Sequence, residues 1–417
     1  MITPRHIEEY EQKFALLDRP LVVSELGGIE QIVVIPCLAE KASLADCLAS
    51  LACNPDRELQ RSLILCVINN RGGQVSSPGE IRDNLDTIHY LDALRKRLPG
   101  HAPANLRLAY IDASSPGREL PDKEGGVGTA RKLGLDAALR LFDYRVDSAK
   151  LLISLDADTL VEDNYLAAIR SFFRPGKAAA VVSYAHQIPD DARERLAICS
   201  YEIFLRYYVL GLRHAGSPYA FPSIGSTMIC TADAYVAVGG MNRRDAAEDF
   251  YFLNKLAKFK AVDCIKTTTV HPSARPSRRV PFGTGRRIIR FLEEDAEEWL
   301  LYDPRIFLIL KRWLKVMEEA PDRETAEIMR EAGQIDPRLL AFLEQHQFAA
   351  AWSKIRKNVK RREGLQRHFH CWFDGFKTLK LIHFLTDHGL PQISMFTALE
   401  QLLGLMGIAT AAGRMGK

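Results

Sequence analysis

The sequence predicts an α/β fold in which a mostly parallel sheet is flanked by helices and is followed by an all-helical C-terminal extension. Short apolar runs alternate with segments of helical period as far as about residue 269. The runs are continuous and do not alternate with polar residues, as in parallel strands that are covered on both faces. Beyond residue 288, nearly every segment has helical period and strand signals are few.

The elements follow one another in an order that suits such a sheet. Runs rich in Val, Ile and Leu predict strands, and apolar residues three and four positions apart predict helices. The predicted strands are residues 31–36, 62–68, 105–112, 150–156, 178–185, 225–231 and 261–270. The predicted helices between them are residues 43–51, 81–98, 129–142, 192–212 and 250–259. We therefore divide the chain into an N-terminal helical extension (1–30), an α/β domain (31–288) and a helical C-terminal region (289–417).

The composition excludes several classes of protein. The 417 residues are 47% hydrophobic and 26% charged, with a formal net charge of +4, which is unlike a disordered or strongly basic chain. Basic residues match no recognised nucleic-acid module, so we expect no nucleic-acid partner. No apolar stretch is long enough to span a bilayer, and the N-terminus lacks the apolar core of a signal peptide. The eight cysteines show no C-x-x-C spacing, which favours a reducing, cytoplasmic location.

Two aspartates, Asp156 and Asp158, follow the fourth predicted strand, at the edge where an open α/β sheet binds its ligand. In an extended chain both carboxylates point to one side, about 6–7 Å apart. This suits a divalent cation shared with a diphosphate, because Mg²⁺ takes one or two carboxylates together with phosphate oxygens. The alternative is that Asp158 caps a helix that begins near Glu162, with Asp156 as a solvated turn residue.

Several segments together resemble the family 2 glycosyltransferases of the GT-A fold, over residues 31–289. Val33–Leu51 is similar to the family's first strand and helix, and Gly126–Leu139 to its helix that carries Ala-Arg. The sequence LDADT matches its D-x-D motif, and Gly225–Phe252 matches its acceptor-side stretch, in which a Gly-Gly turn precedes Glu-Asp. The resemblance implies a GT-A-like sheet, a nucleotide-sugar donor, Mn²⁺ or Mg²⁺ as cofactor, and sugar transfer with inversion to a glycan or lipid-linked acceptor.

The resemblance assigns the chemistry to two neighbouring acids. Asp249 matches the family's catalytic base, and Glu248 beside it would orient the base or the acceptor. A hydroxyl nucleophile needs such a carboxylate to accept its proton as the new bond forms. The structural alternative is that both acids cap the helix that begins there, and the two roles are compatible.

On the donor side, the resemblance points to Glu40, Asn69, Asp112, Arg131 and Asp156. The chain departs from the family pattern in two places. The Asn that usually precedes the glutamate is Ala39 here, and the aspartates that usually follow the second strand are Asn69 and Asn70, which leaves the nucleotide base undetermined. A turn role for Asp112, and a solvated first-turn position for Arg131, are open alternatives.

The loop of residues 270–287 is rich in arginine and contains no acid. Arginine forks bind phosphate oxygens through two parallel hydrogen bonds. Gly283 and Gly285 would let the loop close over a diphosphate. We therefore predict that Arg278 and Arg279 bind the donor.

The predicted metal ligands are Asp158, Asp156 and His271. His271 lies between a strand and the basic loop, where several GT-A enzymes resemble one another in supplying a third ligand. The alternative is a hydrogen-bonded structural histidine.

A second basic segment, residues 352–367, carries seven Lys and Arg against one Glu, with Trp352, Ile355 and Val359 at helical spacing. Basic amphipathic helices of this kind lie on anionic membrane surfaces. The segment predicts either peripheral contact with the inner face of the membrane or a solvated helix face on a cytoplasmic protein.

Two other functions share parts of this pattern. A sugar-phosphate nucleotidyltransferase would use the same metal site, but Glu248 and Asp249 have a natural role only in activating an acceptor. A non-catalytic nucleotide- or glycan-binding protein would not need the complete set of acids together with His271. The sequence thus favours a glycosyltransferase over both.

Overall fold

The computed structural model describes residues 3–23, 26–72, 76–103, 105–279, 283–293 and 296–408. The chain divides into two compact units. The first comprises Met1–Pro189 and Ser223–Arg286, and the second comprises Asp190–Pro222 and Arg287–Lys417. This differs from the predicted division in two respects. The residues before 31 belong to the first unit, and residues 190–222 belong with the C-terminal helices.

The first unit is built on a nine-stranded sheet in the order β1-β4-β3-β2-β5-β8-β7-β9-β6. Parallel ladders join β4, β3, β2 and β5 to one another and β7 to β9. Antiparallel pairing adds β1, β6 and β8. The strands are β1 (Leu21–Val23), β2 (Gln31–Cys37), β3 (Ser62–Asn69), β4 (Leu108–Ala113), β5 (Leu151–Ser154), β6 (Leu160–Val161), β7 (Ala179–Tyr184), β8 (Met228–Thr231) and β9 (Val262–His271).

The predicted α/β fold, with a mixed but mostly parallel sheet and a helical C-terminal region, is confirmed. Every residue of β2, β3, β4 and β5 is buried, which is why these strands read as continuous apolar runs. The helices are α1 (Arg5–Phe14), α2 (Lys41–Ala52), α3 (Asp56–Leu59), α4 (Pro78–Arg95), α5 (Val127–Ala138), α6 (Tyr165–Phe172), α7 (Ala192–His214), α8 (Ala232–Ala237), α9 (Glu248–Phe259), α10 (Thr284–Leu292), α11 (Pro304–Glu319), α12 (Thr325–Ile335), α13 (Pro337–Gln345), α14 (Phe348–Asn358), α15 (Arg362–Trp372), α16 (Gly375–Asp387) and α17 (Met395–Leu405).

Two short strands of the sheet were not predicted. β1 pairs antiparallel with β4 at one edge, so residues before 31 are part of the sheet rather than a helical extension alone. β6 pairs with the end of β9 and sets Leu160 opposite His271. Strands of two or three residues are too short to show a period, and only the tertiary pairing reveals them.

A buried polar cluster joins α1 to α5. The carboxylate of Asp136 accepts hydrogen bonds from the hydroxyls of Tyr10 at 2.8 Å and Tyr235 at 2.7 Å. Its other oxygen lies 2.9 Å from the ammonium of Lys132 and accepts the N–H of Leu16 at 2.8 Å. Each oxygen is therefore satisfied, and the N-terminal segment fixes the helix that carries Arg131.

The second unit packs α7 with the C-terminal helices around one apolar core. Trp313, Phe369 and Trp352 are fully or almost fully buried in it, and Tyr207 of α7 donates to the carbonyl of Tyr302. A two-stranded antiparallel sheet of β10 (Leu300–Leu301) and β11 (Ile393–Ser394) belongs to this unit. Among the described residues, no helix combines the length and the apolar character that crossing a bilayer requires.

The basic segment 352–367 is not one continuous helix. α14 ends at Asn358, and α15 begins at Arg362. Trp352 has no exposed surface, and the partly buried side chains of Ile355 and Val359 pack on the same core. The apolar face on which the predicted membrane contact depended is thus turned inward, while most of the basic side chains of the segment are exposed.

Candidate active site

The D-x-D segment forms a turn rather than an extension of the strand. β5 ends at Ser154, and the backbone N–H of Thr159 donates to the carbonyl of Asp156 at 3.1 Å. The predicted extended geometry is therefore wrong. The alternative that Asp158 caps a helix is wrong as well, because β6 intervenes and α6 begins only at Tyr165.

The turn nevertheless brings acidic side chains together. Burial, then the charges of Asp156 and Glu40, raise the pKa of Asp158 to about 6. Burial and neighbouring acids disfavour the ionised carboxylate here, and a bound cation would favour it.

Arg131 is the buried centre of the site, not a solvated residue. Its two terminal nitrogens donate to one oxygen of Asp156 at 3.0 and 2.6 Å, and its Nε donates to Glu248 at 3.2 Å. Its side chain is 4% exposed. A Cβ built on Gly225 would lie 2.0 Å from this guanidinium, so the glycine is required to admit it. One arginine thus connects the D-x-D segment with the Glu-Asp segment.

Ser226, which was not among the predicted site residues, binds the other oxygen of Asp156. The Ser226 hydroxyl donates to Oδ2 of Asp156 at 2.6 Å and lies 2.9 Å from the hydroxyl of Thr159. Both oxygens of Asp156 are therefore bonded to the protein, and its orientation is fixed before any ligand binds. The only local signal was a Gly-Ser-Thr run before an apolar strand.

Glu248 and Asp249 form the first turn of α9. The residue before them, Ala247, has a left-handed backbone with φ of 57°, a conformation that non-glycine residues rarely adopt and that is enriched at functional sites. Burial, then the charge of Glu248, raise the pKa of Asp249 to about 7, while Arg131 opposes the shift. Acids in the first turn also stabilise the helix, so the capping and catalytic roles are both compatible with this geometry.

Glu40 follows β2 and is held by the basic loop. Its Oε1 forms ion pairs with Arg275 and Arg279. Arg275 also lies 3.2 Å from Oδ2 of Asp158, and Arg279 donates to the carbonyl of Ala39 at 3.2 Å. The loop arginines thus contact the acids of the site directly.

The other loop arginines are placed differently. Arg278 is exposed in the same loop. Arg287 belongs to the second unit, where it pairs with Glu298 at 2.6 Å and lies 4.3 Å above the ring of Phe204. Residues 280–282 of the loop lie outside the described residues. Arg287 is therefore a structural residue of the second unit.

His271 is the last residue of β9 and pairs with Leu160 of β6. Its Nδ1 lies 2.9 Å from the carbonyl of Ala185, and its Nε2 lies 3.6 Å from Glu162. The side-chain amide of Gln187 donates to the backbone carbonyls of both Asp158 and His271, at 2.9 and 2.8 Å. Gln187, which sequence analysis did not identify, joins the two segments that carry the predicted ligands.

The fit of these residues to a divalent cation is partial. In the part of the chain that the structure describes, no three His, Cys, Asp or Glu side chains are grouped as metal ligands. A site of the Mg²⁺ type needs only one or two carboxylates, because substrate phosphates complete the shell. Asp158, with its raised pKa and its neighbour Asp156, meets that requirement. The Nδ1 of His271 is hydrogen-bonded to a backbone carbonyl, as in most metal-binding histidines, but its Nε2 faces Glu162.

The remaining donor-side candidates separate into two groups. Asp112 is a turn residue: it accepts from the backbone of Ser115 at 2.9 Å and pairs with Arg118 at 2.8 Å. These bonds lower its pKa although burial opposes them. Asn69 and Asn70 are buried, and the side-chain oxygen of each has no hydrogen-bond partner among the described residues. Buried acceptors without a partner indicate a site for a ligand that donates N–H or O–H groups.

Comparison with known proteins found similarity only among solved structures. No protein-family model and no curated protein sequence matches the chain. TarS from S. aureus, solved with UDP-GlcNAc, is 13% identical with a TM-score of 0.41, and the match covers 83% of this chain and 91% of that one.

Two further solved structures give similar matches. The mannosyltransferase PcManGT from Pyrobaculum calidifontis, solved with GDP-Man and Mn²⁺, is 13% identical with a TM-score of 0.37, covering 95% of this chain and 92% of that one. Glucosyl-3-phosphoglycerate synthase from M. tuberculosis is 13% identical with a TM-score of 0.32, covering 70% and 85%. At TM-scores below 0.5, the likeness identifies neither the donor nor the acceptor of this chain.

Proposed function

We propose that this chain is an inverting glycosyltransferase that moves a sugar from a nucleoside-diphosphate sugar to a hydroxyl group of an acceptor. The observation that carries the proposal is the position of Arg131. This buried guanidinium binds both Asp156 and Glu248, so that the donor side and the base side belong to one rigid site. A pKa near 7 suits Asp249 for accepting a proton at neutral pH.

In the proposed reaction, Asp249 accepts the proton of the acceptor hydroxyl. The hydroxyl oxygen forms a bond to the anomeric carbon while the bond from that carbon to the diphosphate breaks on the opposite face, which inverts the configuration. The electron pair of the broken bond leaves with the nucleoside diphosphate. Glu248, fixed by Arg131, keeps the first turn of α9 in place and with it the carboxylate of Asp249.

The donor is assigned to the edge of the sheet where β2, β3 and β5 end. Asp158, with Asp156, would hold Mn²⁺ or Mg²⁺, which supplies positive charge to the diphosphate leaving group when it is bound. The partnerless oxygens of Asn69 and Asn70 would accept hydrogen bonds from the nucleotide. We place His271 beside the proposed metal site, because the side-chain amide of Gln187 donates to the backbone carbonyls of both His271 and Asp158.

The acceptor is proposed to be a glycan or a lipid-linked hydroxyl, reached by a cytoplasmic enzyme that contacts the membrane peripherally. Such contact would be electrostatic, because Trp352 is buried while basic side chains around the α14–α15 turn are exposed. The test is co-sedimentation with anionic vesicles: we expect attachment at low salt that fades as salt rises. Its absence at low salt contradicts the membrane part alone.

A thermal-shift screen tests the proposed function. The protein is melted with UDP, GDP, CDP and dTDP, each with and without Mn²⁺. A ligand that binds only the native state raises the midpoint by mass action, so we expect one nucleotide to raise it more with Mn²⁺ than without. The absence of any Mn²⁺-dependent shift, with all four nucleotides, contradicts the proposal.

Two variants assign the metal within that screen. Asp158→Ala should lose the Mn²⁺-dependent part of the shift. Its midpoint without ligand should stay the same, because burial already disfavours the charged carboxylate of Asp158. Asp163→Ala is the matched control, since it removes an exposed acid from the turn after β6. A Mn²⁺-dependent shift that survives in Asp158→Ala shows that the metal assignment is wrong.

A further inference from the structure

A loop arginine occupies the carboxylates that the proposed function gives to the metal and the donor. One terminal nitrogen of Arg275 pairs with Oε1 of Glu40 and lies 3.2 Å from Oδ2 of Asp158. Arg279, four residues later, pairs with the same oxygen of Glu40 but not with Asp158. The acids at the mouth of the sheet are thus neutralised by the chain's own cations.

The two sides of this contact differ in how firmly they are held. The side chain of Glu40 is 8% exposed and that of Asp158 is 26% exposed. Arg275 is 39% exposed and comes from the loop that follows β9. The second oxygen of Glu40 is buried and has no hydrogen-bond partner among the described residues. The carboxylates therefore belong to the framework of the site, while the guanidinium is its replaceable part.

We propose that Arg275 is a resident counter-ion that exchanges its partner when the donor binds. Asp158 passes from the guanidinium to the divalent cation, and Arg275 passes from the carboxylates to an oxygen of the diphosphate. This proposal rests on the proposed function. A guanidinium and a divalent cation repel each other, so each weakens the binding of the other to the same carboxylate oxygen. A diphosphate offers the planar fork of arginine a partner at least as good as the one that it loses.

The exchange makes metal binding and nucleotide binding depend on each other. Mn²⁺ alone must displace Arg275 from Asp158 while offering the guanidinium nothing in return. When a nucleoside diphosphate binds as well, Arg275 gains a new partner. The side chain therefore weakens the binding of the metal alone and strengthens the binding of metal and nucleotide together. Such coupling is reciprocal between the two ligands.

The test is to compare wild type with Arg275→Gln, which removes the charge and keeps hydrogen-bond donors. Binding of Mn²⁺ alone is measured by calorimetry, followed by binding of the diphosphate from the screen above at saturating Mn²⁺. We expect the variant to bind Mn²⁺ alone about 10-fold more tightly and the diphosphate about 10-fold more weakly, within the usual range of coupling between sites. A residue with a merely structural role would not shift the two affinities in opposite directions.

Two further variants and the wild type separate the outcomes. Arg279→Gln should bind Mn²⁺ alone within about twofold of wild type, because Arg279 contacts Glu40 and not Asp158. Arg275→Lys keeps the charge and should bind Mn²⁺ alone within about twofold of wild type, because repulsion of the cation depends on charge and not on the guanidinium fork. If Arg275→Gln binds Mn²⁺ no more tightly than wild type, the exchange is wrong. If wild type shows no Mn²⁺-dependent nucleotide binding, the proposed function itself fails.

Discussion

Two arginines hold the acids of the candidate active site, and they differ in their surroundings. Arg131 is 4% exposed on a helix and binds Asp156 and Glu248, while Arg275 is 39% exposed on a loop and binds Glu40 and Asp158. A buried ion pair leaves a desolvated charge behind when one partner is removed, whereas a half-exposed pair is replaced by water. The same chemistry thus gives a fixed scaffold in one place and an exchangeable contact in the other.

The largest expected effect is the loss of Arg131. Arg131→Met keeps the volume and removes the charge, which leaves Glu248 buried and unpaired. Removing one partner of a buried pair destabilises a protein by about 3–5 kcal/mol. Denaturant unfolding followed by far-UV circular dichroism measures it.

The matched variant is Arg275→Met, for which we expect a loss of at most about 1 kcal/mol, because Arg275 is 39% exposed and Arg279 still pairs with Glu40. All four tryptophans (Trp299, Trp313, Trp352 and Trp372) lie in the second unit, so tryptophan emission reports that unit separately. Equal losses of stability in the two variants would contradict the distinction between a fixed and an exchangeable arginine.

The acids beside the buried Arg131 should also set the pH dependence of sugar transfer. Since Asp249 has a pKa of about 7 and acts as a base only when deprotonated, kcat/KM at saturating Mn²⁺ should rise about tenfold per pH unit below 7 and level off above it. Glu248→Gln removes a charge that raises this pKa, so the acidic limb of the profile should move to lower pH. A limb that stays in place would show that Glu248 does not control the base.

The smallest expected effect is a change in the free energy of unfolding on substitution of Ala39, which contacts Arg279. Ala39 has a left-handed backbone with φ of 51°, which asparagine adopts more readily than alanine. Ala39 uses its backbone N–H on Asn84 and its carbonyl on Arg279, so a new side chain disturbs neither contact. Ala39→Asn should raise the free energy of unfolding by about 0.5 kcal/mol.

The control for this variant is Ala49→Asn, on an exposed position of α2. There the same change should lower the free energy of unfolding by about 0.5 kcal/mol, because asparagine is the weaker helix former. Destabilisation by Ala39→Asn would show that the left-handed backbone at this position carries no strain.

The sequence predicted the parts of this molecule that local pattern determines. The strands that begin at residues 31 and 62 are entirely buried, and their apolar runs place them within one residue of the observed bounds. The acids at the strand ends, Asp156 and Asp158, were found because a carboxylate after an apolar run is visible in the sequence alone.

The partners of those acids were not predictable in the same way. Arg131 and Glu248 are separated by 117 positions, and Arg275 and Glu40 by 235, so their pairing depends on the fold and not on any local pattern. The same reason explains why the membership of residues 190–222 in the second unit was missed. The charged groups of the site are therefore visible in the sequence, but which of them neutralise one another is not.

The proposed mechanism depends on Asp249 as the group that accepts the proton of the acceptor hydroxyl, and the variant Asp249→Asn tests that role. This change keeps the shape of the side chain and removes its basicity. With the donor nucleotide and acceptor identified, we expect the dissociation constant of the nucleotide with Mn²⁺ to stay within about twofold of wild type. We expect kcat for sugar transfer to fall by about 10²–10⁴, the usual contribution of a general base. Unchanged turnover in Asp249→Asn would leave this residue only a structural role in the first turn of α9 and would contradict the proposed mechanism.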